Sequence, residues 1–564
     1  MALISILSST DPILRSRFTN AKLAMASATQ VMEGELGGIV YRQAGPTHIP
    51  RMGSTTGQII WILEGGSVAQ PEKLTALLHS LNNEWPSDST HYKRLYHEAE
   101  ALIHGEFVLA IIAKNPERIL VLNDRFGRLP LYIGKEKESL MVTRQLFHLH
   151  QTLPVFPPDN AARAFYLMMG FPPGEATLWH NVRRVMPGSV ISISQNILAI
   201  ESVADALHVN PNPHLNPKDV VEMITTQLDR VINNGNTGEI ILSMSGGLDS
   251  RLLAAALHKN RLPFRMISYA DADLSAANDV KTAYQVATAL DLPLEVITLN
   301  QPSEADYKEL HFLKRGMNYS GMAFILPYLR QLPREARILT GDGGDKLLAP
   351  LNTLPPIHSI RQLARYIIRR HSLMSLRLAA SLTYVSQELI TTQLEALLLS
   401  TYKTGFQQTY ADFLLRQRAF KWLFEGEDRN RWFVNHQAPL WSPELAMLLL
   451  QVPEGLKADY KLFSEVLLCY NHTLAHIPNA NWNLPVTNTK AINRLLQRQQ
   501  FKYSRLLNPF VQLIQKSSAQ KTSNIPPCLL NWHNASKGEF QSMYKIEKLS
   551  IENLYYIRSL MDNE

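Results

Sequence analysis

EIILSMSGGLDSRLLAAALHK (239–259) decides the fold. Its first six residues are an apolar, β-branched run of the length of a buried strand. Its last twelve, from Leu248, carry apolar residues at helical spacing. Between them lies Ser245-Gly246-Gly247, with Asp249 and Ser250 opening the helix. A strand that turns directly into a helix is the place where an open α/β sheet presents its ligand crevice. Two glycines let backbone N–H groups approach an anion, and the helix N-terminus adds a positive dipole. Ser245 and Ser250 supply hydroxyl donors suited to phosphate oxygens. Asp249 repels a bare phosphate, so it makes sense only with a cation between them, and Mg2+ held by a carboxylate and phosphates is the usual arrangement. The loop lacks the GK[ST] ending of a Walker A sequence. The alternative is an ordinary glycine turn before a helix.

The rhythm continues outward from this unit. FRMISYA (264–270), PLEVITL (293–299) and ARILT (336–340) read as further buried strands, with a helix at ANDVKTAYQVATAL (277–290). Continuous apolar strands alternating with helices predict a doubly wound parallel sheet with helices on both faces. Residues 356–564 read as mostly helical. Upstream the pattern differs. GQIIWILEGG (57–66), GEFVLAIIAKNPERILVLNDR (105–125), LYIGKEKESLMVTR (131–144) and RVMPGSVISIS (184–194) predict stacked antiparallel sheets, the second stretch as a hairpin about Asn115-Pro116. LHVNPNPHLNP (207–217) holds three prolines and three asparagines and reads as a linker. The expected domains are therefore 1–206 and 218–564.

With 564 residues, 45% hydrophobic and 19% charged, the chain is too long for one core and too apolar for a disordered or collagen-like protein. Its two cysteines, Cys469 and Cys528, form no CxxC and argue against a zinc site or a disulfide framework. No apolar run reaches the ~20 residues of a membrane span. MALISILSSTDPILR lacks a basic region ahead of its apolar stretch, so no secretion signal is expected and a cytoplasmic location is. The net charge of +7 is partly local: Lys490, Arg494, Arg498, Lys502, Arg505, Lys516 and Lys521 fall in one stretch with no acidic residue. The first four lie along one helix face, as a solvated surface or as a dock for an acidic partner. No nucleic-acid motif accompanies them, and no nucleic-acid partner is expected.

Four segments in order carry a resemblance. SGGLDS (245–250) resembles the pyrophosphate-binding loop of the asparagine synthetase family and its ATP-pyrophosphatase relatives. DRFGRLPLY (124–132) is similar to the D-x-x-G-x-x-P-L-Y segment of that family's N-terminal amidotransferase-like domain. GDGGDK (341–346) resembles its G-E-G-[AG]-D-E loop. ADYKLFSEVLL (458–468), followed by IPNANWNLP (477–485), is similar to the stretch holding the synthetase lysine. The resemblance spans about residues 1–490. It implies an N-terminal β-rich αββα sandwich, a degenerate class II glutamine amidotransferase-like domain, followed by a parallel-sheet ATP-pyrophosphatase domain with a helical C-terminal part.

It also implies chemistry. In the family, ATP adenylates a carboxylate, pyrophosphate leaves, and an amine displaces AMP to form an amide. By position, Ser245, Gly246, Gly247, Asp249 and Ser250 match the pyrophosphate cradle, and Asp249 and Asp345 the carboxylates that hold Mg2+. Ser243, Ile267, Thr340 and Gly341 match positions lining the adenosine. Lys461 matches the lysine that stabilises charge on the α-phosphate, although Glu465 stands where an arginine is usual; a surface lysine is the alternative. Asp342 replaces a glutamate thought to assist the amine's proton loss, one methylene shorter. Lys346 replaces a second acid and reverses a charge beside the metal side.

One part is missing. Glutamine-dependent members begin, after Met1, with a cysteine whose thiolate attacks the glutamine amide. Here residue 2 is Ala2, and no cysteine precedes Cys469. The glutamine-binding N-G-E-I-Y-N segment is absent too, with IIWILEGG in its region. Members without the cysteine include β-lactam-forming synthetases and lasso-peptide cyclases, whose attacking amine belongs to the substrate. The expectation is an AMP-forming amide ligase acting on a small molecule or peptide that carries both carboxylate and amine. Ammonia-dependent asparagine synthesis and a non-catalytic scaffold are the alternatives. A homo-oligomer or a biosynthetic partner protein is left open.

Overall fold

The computed structural model describes residues 2–21, 28–33, 37–43, 51–55, 58–153, 156–194, 197–203, 211–233, 238–271, 276–351, 354–402 and 405–506. The first part is two six-stranded antiparallel sheets stacked face to face. One runs Val182–Arg184, Tyr132–Glu136, Ser139–Thr143, Ala2–Ser8, Gly37–Gln43, Ala28–Glu33. The other runs Ile197–Ser202, Ser189–Ser194, Glu117–Asn123, Ile103–Lys114, Ile59–Val68, Arg51–Thr55. The hairpin at Asn115-Pro116 is present, with Lys114 opposite Glu117.

Strand alternation builds the layers. Val108 and Ala110 point between the sheets with Ile4, Ile6, Val121 and Ile191. Leu109 and Ile111 point outward and are covered by the helices Pro71–Ser80 and Ser89–Leu102 through Leu74, Leu78, Leu95 and Tyr96. On the other sheet Leu7 and Met141 meet Phe18 and Leu149, from the helices Pro12–Asn20 and Leu146–Thr152. The result is the αββα sandwich.

The second part is a five-stranded parallel sheet. Its order is Leu294–Leu299, Phe264–Asp271, Ile240–Ser243, Arg337–Leu339, Asn435–Gln437. The first four strands are those the sequence predicts. The fifth, within a stretch read as helical, is three residues long and too short to show a period. Ile241, Ile267 and Ile338 face one layer, with Tyr307 and Leu310 of the helix Glu304–Lys314. Leu242, Met266 and Leu339 face the other, with Leu252 and Leu253 of Leu248–Lys259. Helices therefore cover both faces. The stretch read as a linker lies partly outside the described residues; its end passes into the helix Pro217–Asn233.

A buried ionic lattice joins the two parts. The helix Phe424–Asn430, which continues the π-helical segment Phe413–Leu423, presents Glu425, Glu427 and Asp428 to the sandwich, all three buried. Arg128 meets Glu427 at 2.7 Å, Arg144 meets Asp428 at 2.8 Å and Arg184 meets Glu425 at 3.0 Å. Lys314 bridges Glu425 and Asp428, at 2.6 Å to each. The Tyr132 hydroxyl donates to Glu425 at 2.6 Å. Two of these groups, Arg128 and Tyr132, sit in DRFGRLPLY, and its Asp124 carboxylate accepts the Phe126 and Arg128 N–H groups, fixing the turn that delivers Arg128. That motif is thus an interdomain dock. Burial, with Glu106 nearby, pushes the Asp124 carboxyl up to about 6 despite Arg128.

Candidate functional site

The SGGLDS loop crosses from the strand Ile240–Ser243 to the helix Leu248–Lys259 at the carboxyl edge of the parallel sheet. Its hydroxyls are mutually organised: Ser245 Oγ and Ser250 Oγ lie 3.1 Å apart, and the Ser245 N–H donates to Ser250 Oγ at 3.2 Å. The two glycine N–H groups are not both open, as the sequence alone leads one to expect. Gly246 N–H donates to the Asp279 carboxylate at 3.0 Å, and Gly247 N–H to Ser245 Oγ at 3.3 Å. Asp279, in the first turn of Ala277–Ala289, thus occupies a donor that suits phosphate.

Small residues let the GDGGDK loop close on this helix start. A Cβ on Gly341 would lie 2.4 Å from Ser250 N, and one on Gly344 2.5 Å from Asp249 Oδ1. The Asp345 N–H donates to Asp249 Oδ2 at 3.1 Å. Gly343 takes φ 108, a value that favours glycine, with its Cα facing the Trp441 ring. Burial and the neighbouring Asp345 charge push the Asp249 carboxyl well above the usual carboxylate range. Lys346 answers in part, by an ion pair to Asp345.

Two carboxylates held this close form a donor set suited to a divalent cation. Among the described residues no group of three or more His, Cys, Asp or Glu side chains gathers as a complete metal cage. Asp249 and Asp345 would be the protein's share of a Mg2+ site of the kind that phosphate oxygens and water complete.

The remaining predicted residues fall around this junction. Ser243 Oγ accepts from the Tyr328 hydroxyl at 3.2 Å, and Ser243 is the register partner of buried Ile267 on the next strand. Burial pushes the Tyr328 hydroxyl up to about 12. Thr340 Oγ1 donates to Asp342 Oδ2 at 2.7 Å and lies 3.1 Å from His436 Nε2. His436 Nε2 is 3.7 Å from Asp342 Oδ2. Burial alone would raise the Asp342 carboxyl, but His436 and Thr340 hold it below the usual range. Lys461 begins the helix Lys461–Tyr470 and is exposed. Its neighbour Tyr460, in a left-handed conformation with φ 63, lies in the field of Asp345 and Asp249, so the segment borders the carboxylates.

Sequence reasoning missed Asp279, Tyr328, Tyr460, His436 and Arg251. Arg251 is buried inside the motif-bearing helix; it donates to the carbonyls of Leu474 at 3.3 Å, Pro478 at 3.1 Å and Gly246 at 3.4 Å, and to that of Ile477. This pins the IPNANWNLP turn onto the loop, where Ala480 N–H donates to Gly246 O at 3.3 Å. An arginine directly after SGGLDS was the available signal. Of the basic stretch, Lys490, Arg494 and Arg498 are exposed on the helix Thr489–Leu506, as a solvated face would be. Lys502 and Arg505 lie on the same helix, and Lys516 and Lys521 fall outside the described residues. Among the described residues no helix is long and apolar enough to cross a membrane.

Comparison with known proteins gives two family-model matches in chain order. A glutamine amidotransferase domain model matches residues 66–202 and an asparagine synthase model matches residues 238–458. No curated protein matches the chain. Solved structures similar to it include the glutamine phosphoribosylpyrophosphate amidotransferase of B. subtilis complexed with ADP and GMP, at 10% identity and TM-score 0.24, covering 66% of this chain and 89% of that one. NMN synthetase from Francisella tularensis is similar at 12% identity and TM-score 0.20, covering 38% of this chain and 96% of that one.

Proposed function

Because the chain belongs to the asparagine synthetase family, its two models together spanning more than half of the sequence, we propose that it is an AMP-forming amide ligase whose attacking amine is carried by its own substrate. In this reading residues 218–564 are the ligase domain, and residues 1–206 are an inert amidotransferase-like companion. The observation that carries the reading is the closure of GDGGDK on SGGLDS, with Asp345 N–H on Asp249 Oδ2 at 3.1 Å. It brings phosphate donors and two carboxylates to one point at the sheet edge.

The roles follow from the chemistry of each group. Ser245, Gly246, Gly247 and Ser250 bind the phosphates, and Asp279 yields the Gly246 N–H when they arrive. Asp249 and Asp345 would hold Mg2+, which supplies neutralising charge to the phosphates when bound. Ser243, Ile267, Thr340 and Gly341 flank the adenosine of ATP. Asp342, kept ionised by Thr340 and His436, accepts an N–H of the attacking amine and orients it toward the acyl carbon. Lys461 meets the charge that develops on the α-phosphate. The substrate is a small molecule or peptide with carboxylate and amine, met in the cytoplasm.

Glutamine is not the nitrogen source in this reading. Ala2 opens the strand Ala2–Ser8, and the region of the absent glutamine-binding segment holds Glu64, which is buried, paired with Arg144 at 3.0 Å and accepting from Ile4 N–H. Those contacts hold the sandwich together. Amide-labelled glutamine supplied with ATP and Mg2+ to the purified protein should pass no label into any amide product. Transfer of label would overturn the inert-domain reading. Pyrophosphate release that requires a compound bearing both amine and carboxylate supports the internal amine. Release driven by aspartate and ammonia would instead support asparagine synthesis, and release under no condition would support a scaffold.

Lys461→Ala should lower turnover by about 10²–10³-fold, the usual loss for one fixed charge-stabilising donor, with little change in ATP affinity. Pre-steady-state pyrophosphate release beside equilibrium ATP binding separates the two. Unchanged turnover returns Lys461 to the solvent-facing helix start where its side chain stands.

A further inference from the structure

Arg418 sits on the π-helical segment Phe413–Leu423. Its neighbours Gln417 and Lys421 are spent on the sandwich: Gln417 Oε1 accepts the Gly174 N–H at 2.6 Å, and Lys421 donates to the Ala176 carbonyl at 2.7 Å. Arg418 lies instead over the Trp422 ring, its guanidinium carbon 5.5 Å from the centroid. Trp422 is a fixed platform. It stacks on Tyr319 at 5.2 Å, and it fills the space beside Gly170, where a Cβ would lie 2.0 Å from the ring. Arg418 is half-buried, and among the described residues no hydrogen bond or ion pair holds its guanidinium, whose nitrogens are not sealed from solvent.

This platform adjoins the GDGGDK loop. Burial works against the Arg418 charge, and the Tyr410 hydroxyl and the Asp345 carboxylate are the groups that favour it. Lys346, paired with Asp345, belongs to the same cluster. Burial, then Arg418, Arg370 and Lys346, push the His371 imidazole down to about 3, so it is neutral, with Nε2 2.9 Å from the Tyr410 hydroxyl. Asp345, Lys346, His371, Tyr410 and Arg418 thus form one group, and Arg418 is a cation in it that no acceptor holds.

The phosphate pocket calls for such a cation. Pyrophosphate carries more negative charge than one divalent cation cancels, and Asp249 and Asp345 add two carboxylates beside it. Backbone donors are few, since Gly246 N–H is on Asp279 and Gly247 N–H on Ser245 Oγ. We propose that Arg418 is a phosphate-binding residue, its guanidinium closing on the pyrophosphate part of ATP from the Asp345 side of the two loops; the assignment rests on the ligase reading above. A guanidinium fork matches phosphate oxygens bidentately, and an arginine keeps its charge in a half-buried place. The Trp422 platform orders the side chain in advance, which lowers the entropy lost on binding.

Calorimetric titration of the full chain with pyrophosphate in Mg2+ buffer and, separately, with AMP tests this. Arg418→Gln keeps the stem on Trp422 and removes the charge. It should lower pyrophosphate affinity about tenfold, the usual scale for a charge-assisted hydrogen bond, and leave AMP affinity unchanged. Arg418→Lys, which keeps the charge, should recover part of the loss. Arg183→Ala removes a mostly exposed cation of the sandwich and should bind both probes as the wild type does, which separates a local contact from a change in net charge. Arg418→Gln binding pyrophosphate at wild-type strength, Arg418→Gln losing AMP affinity in equal measure, Arg418→Lys as weak as Arg418→Gln, or Arg183→Ala matching the loss would each overturn the Arg418 assignment and leave the ligase reading standing. A wild type that binds neither pyrophosphate nor ATP would overturn both.

Discussion

On the proposed function, Asp249→Ala should abolish ATP–pyrophosphate exchange and leave the fold standing. A fall of about 10³-fold or more is expected, the kinetic equivalent of several kcal/mol of phosphate charge no longer neutralised. The fold should survive because the native position is electrostatically unfavourable. Burial and Asp345 raise the Asp249 carboxyl above its unfolded value. For an acid that sign means that ionisation opposes folding at any pH above the unfolded value, near 4. Removing the carboxylate should therefore keep or raise the melting temperature in metal-free buffer at neutral pH. Mg2+ with ATP should stabilise the wild type and not the variant. Exchange at the wild-type rate would sink the metal assignment, and a lower melting temperature would sink the electrostatic account.

Asp428→Ala should have the opposite character, a large loss of stability with the nucleotide loop untouched. Asp428 is buried with Arg144 at 2.8 Å and Lys314 at 2.6 Å. Burial opposes its charge, but Lys314 and Arg144 outweigh it and hold its carboxyl below the usual range. A depressed acid contributes stability above its unfolded pKa, and loses it as pH falls toward the folded value. Taking away the carboxylate leaves Arg144 with Glu64 and Lys314 with Glu425, two buried cations each short of one partner, and breaking a buried pair costs about 3–5 kcal/mol. Urea unfolding at pH 7 reads the loss directly. A loss under about 1 kcal/mol would mean that water reaches and screens the cluster.

These two residues mark what a sequence discloses. Asp249 stands in a local pattern, a strand, a glycine turn and a helix, and local patterns are written in consecutive letters. The expected helix from Leu248 to Lys259 has those bounds in the structure, and the four predicted strands of the parallel sheet are all present. Asp428 has no such pattern. Its partners are 284 and 114 residues away, and a lone Arg144 or Lys314 looks like any surface cation until the chain is folded. His436 was hidden for another reason: its strand, Asn435–Gln437, has three residues and cannot display a period of two. DRFGRLPLY was legible as a signature, but its work as an interdomain dock is visible only once Arg128 and Tyr132 meet Glu427 and Glu425.

The Arg251 staple carries a consequence for how the protein is made. Pro478, one of its anchors, follows Arg251 by 227 residues. At translation rates of about 5–20 residues per second, roughly 10–45 s separate the emergence of SGGLDS from that of the turn that seats it. During that interval the nascent chain holds its phosphate loop without the covering turn and a buried-to-be guanidinium without its carbonyls. The SGGLDS loop with its covering turn is thus among the last parts of the described chain to be completed on the ribosome, after the sandwich has had time to form. A message truncated before codon 474 would yield a chain with the signature hexapeptide and none of the carbonyls that hold Arg251 from the far side.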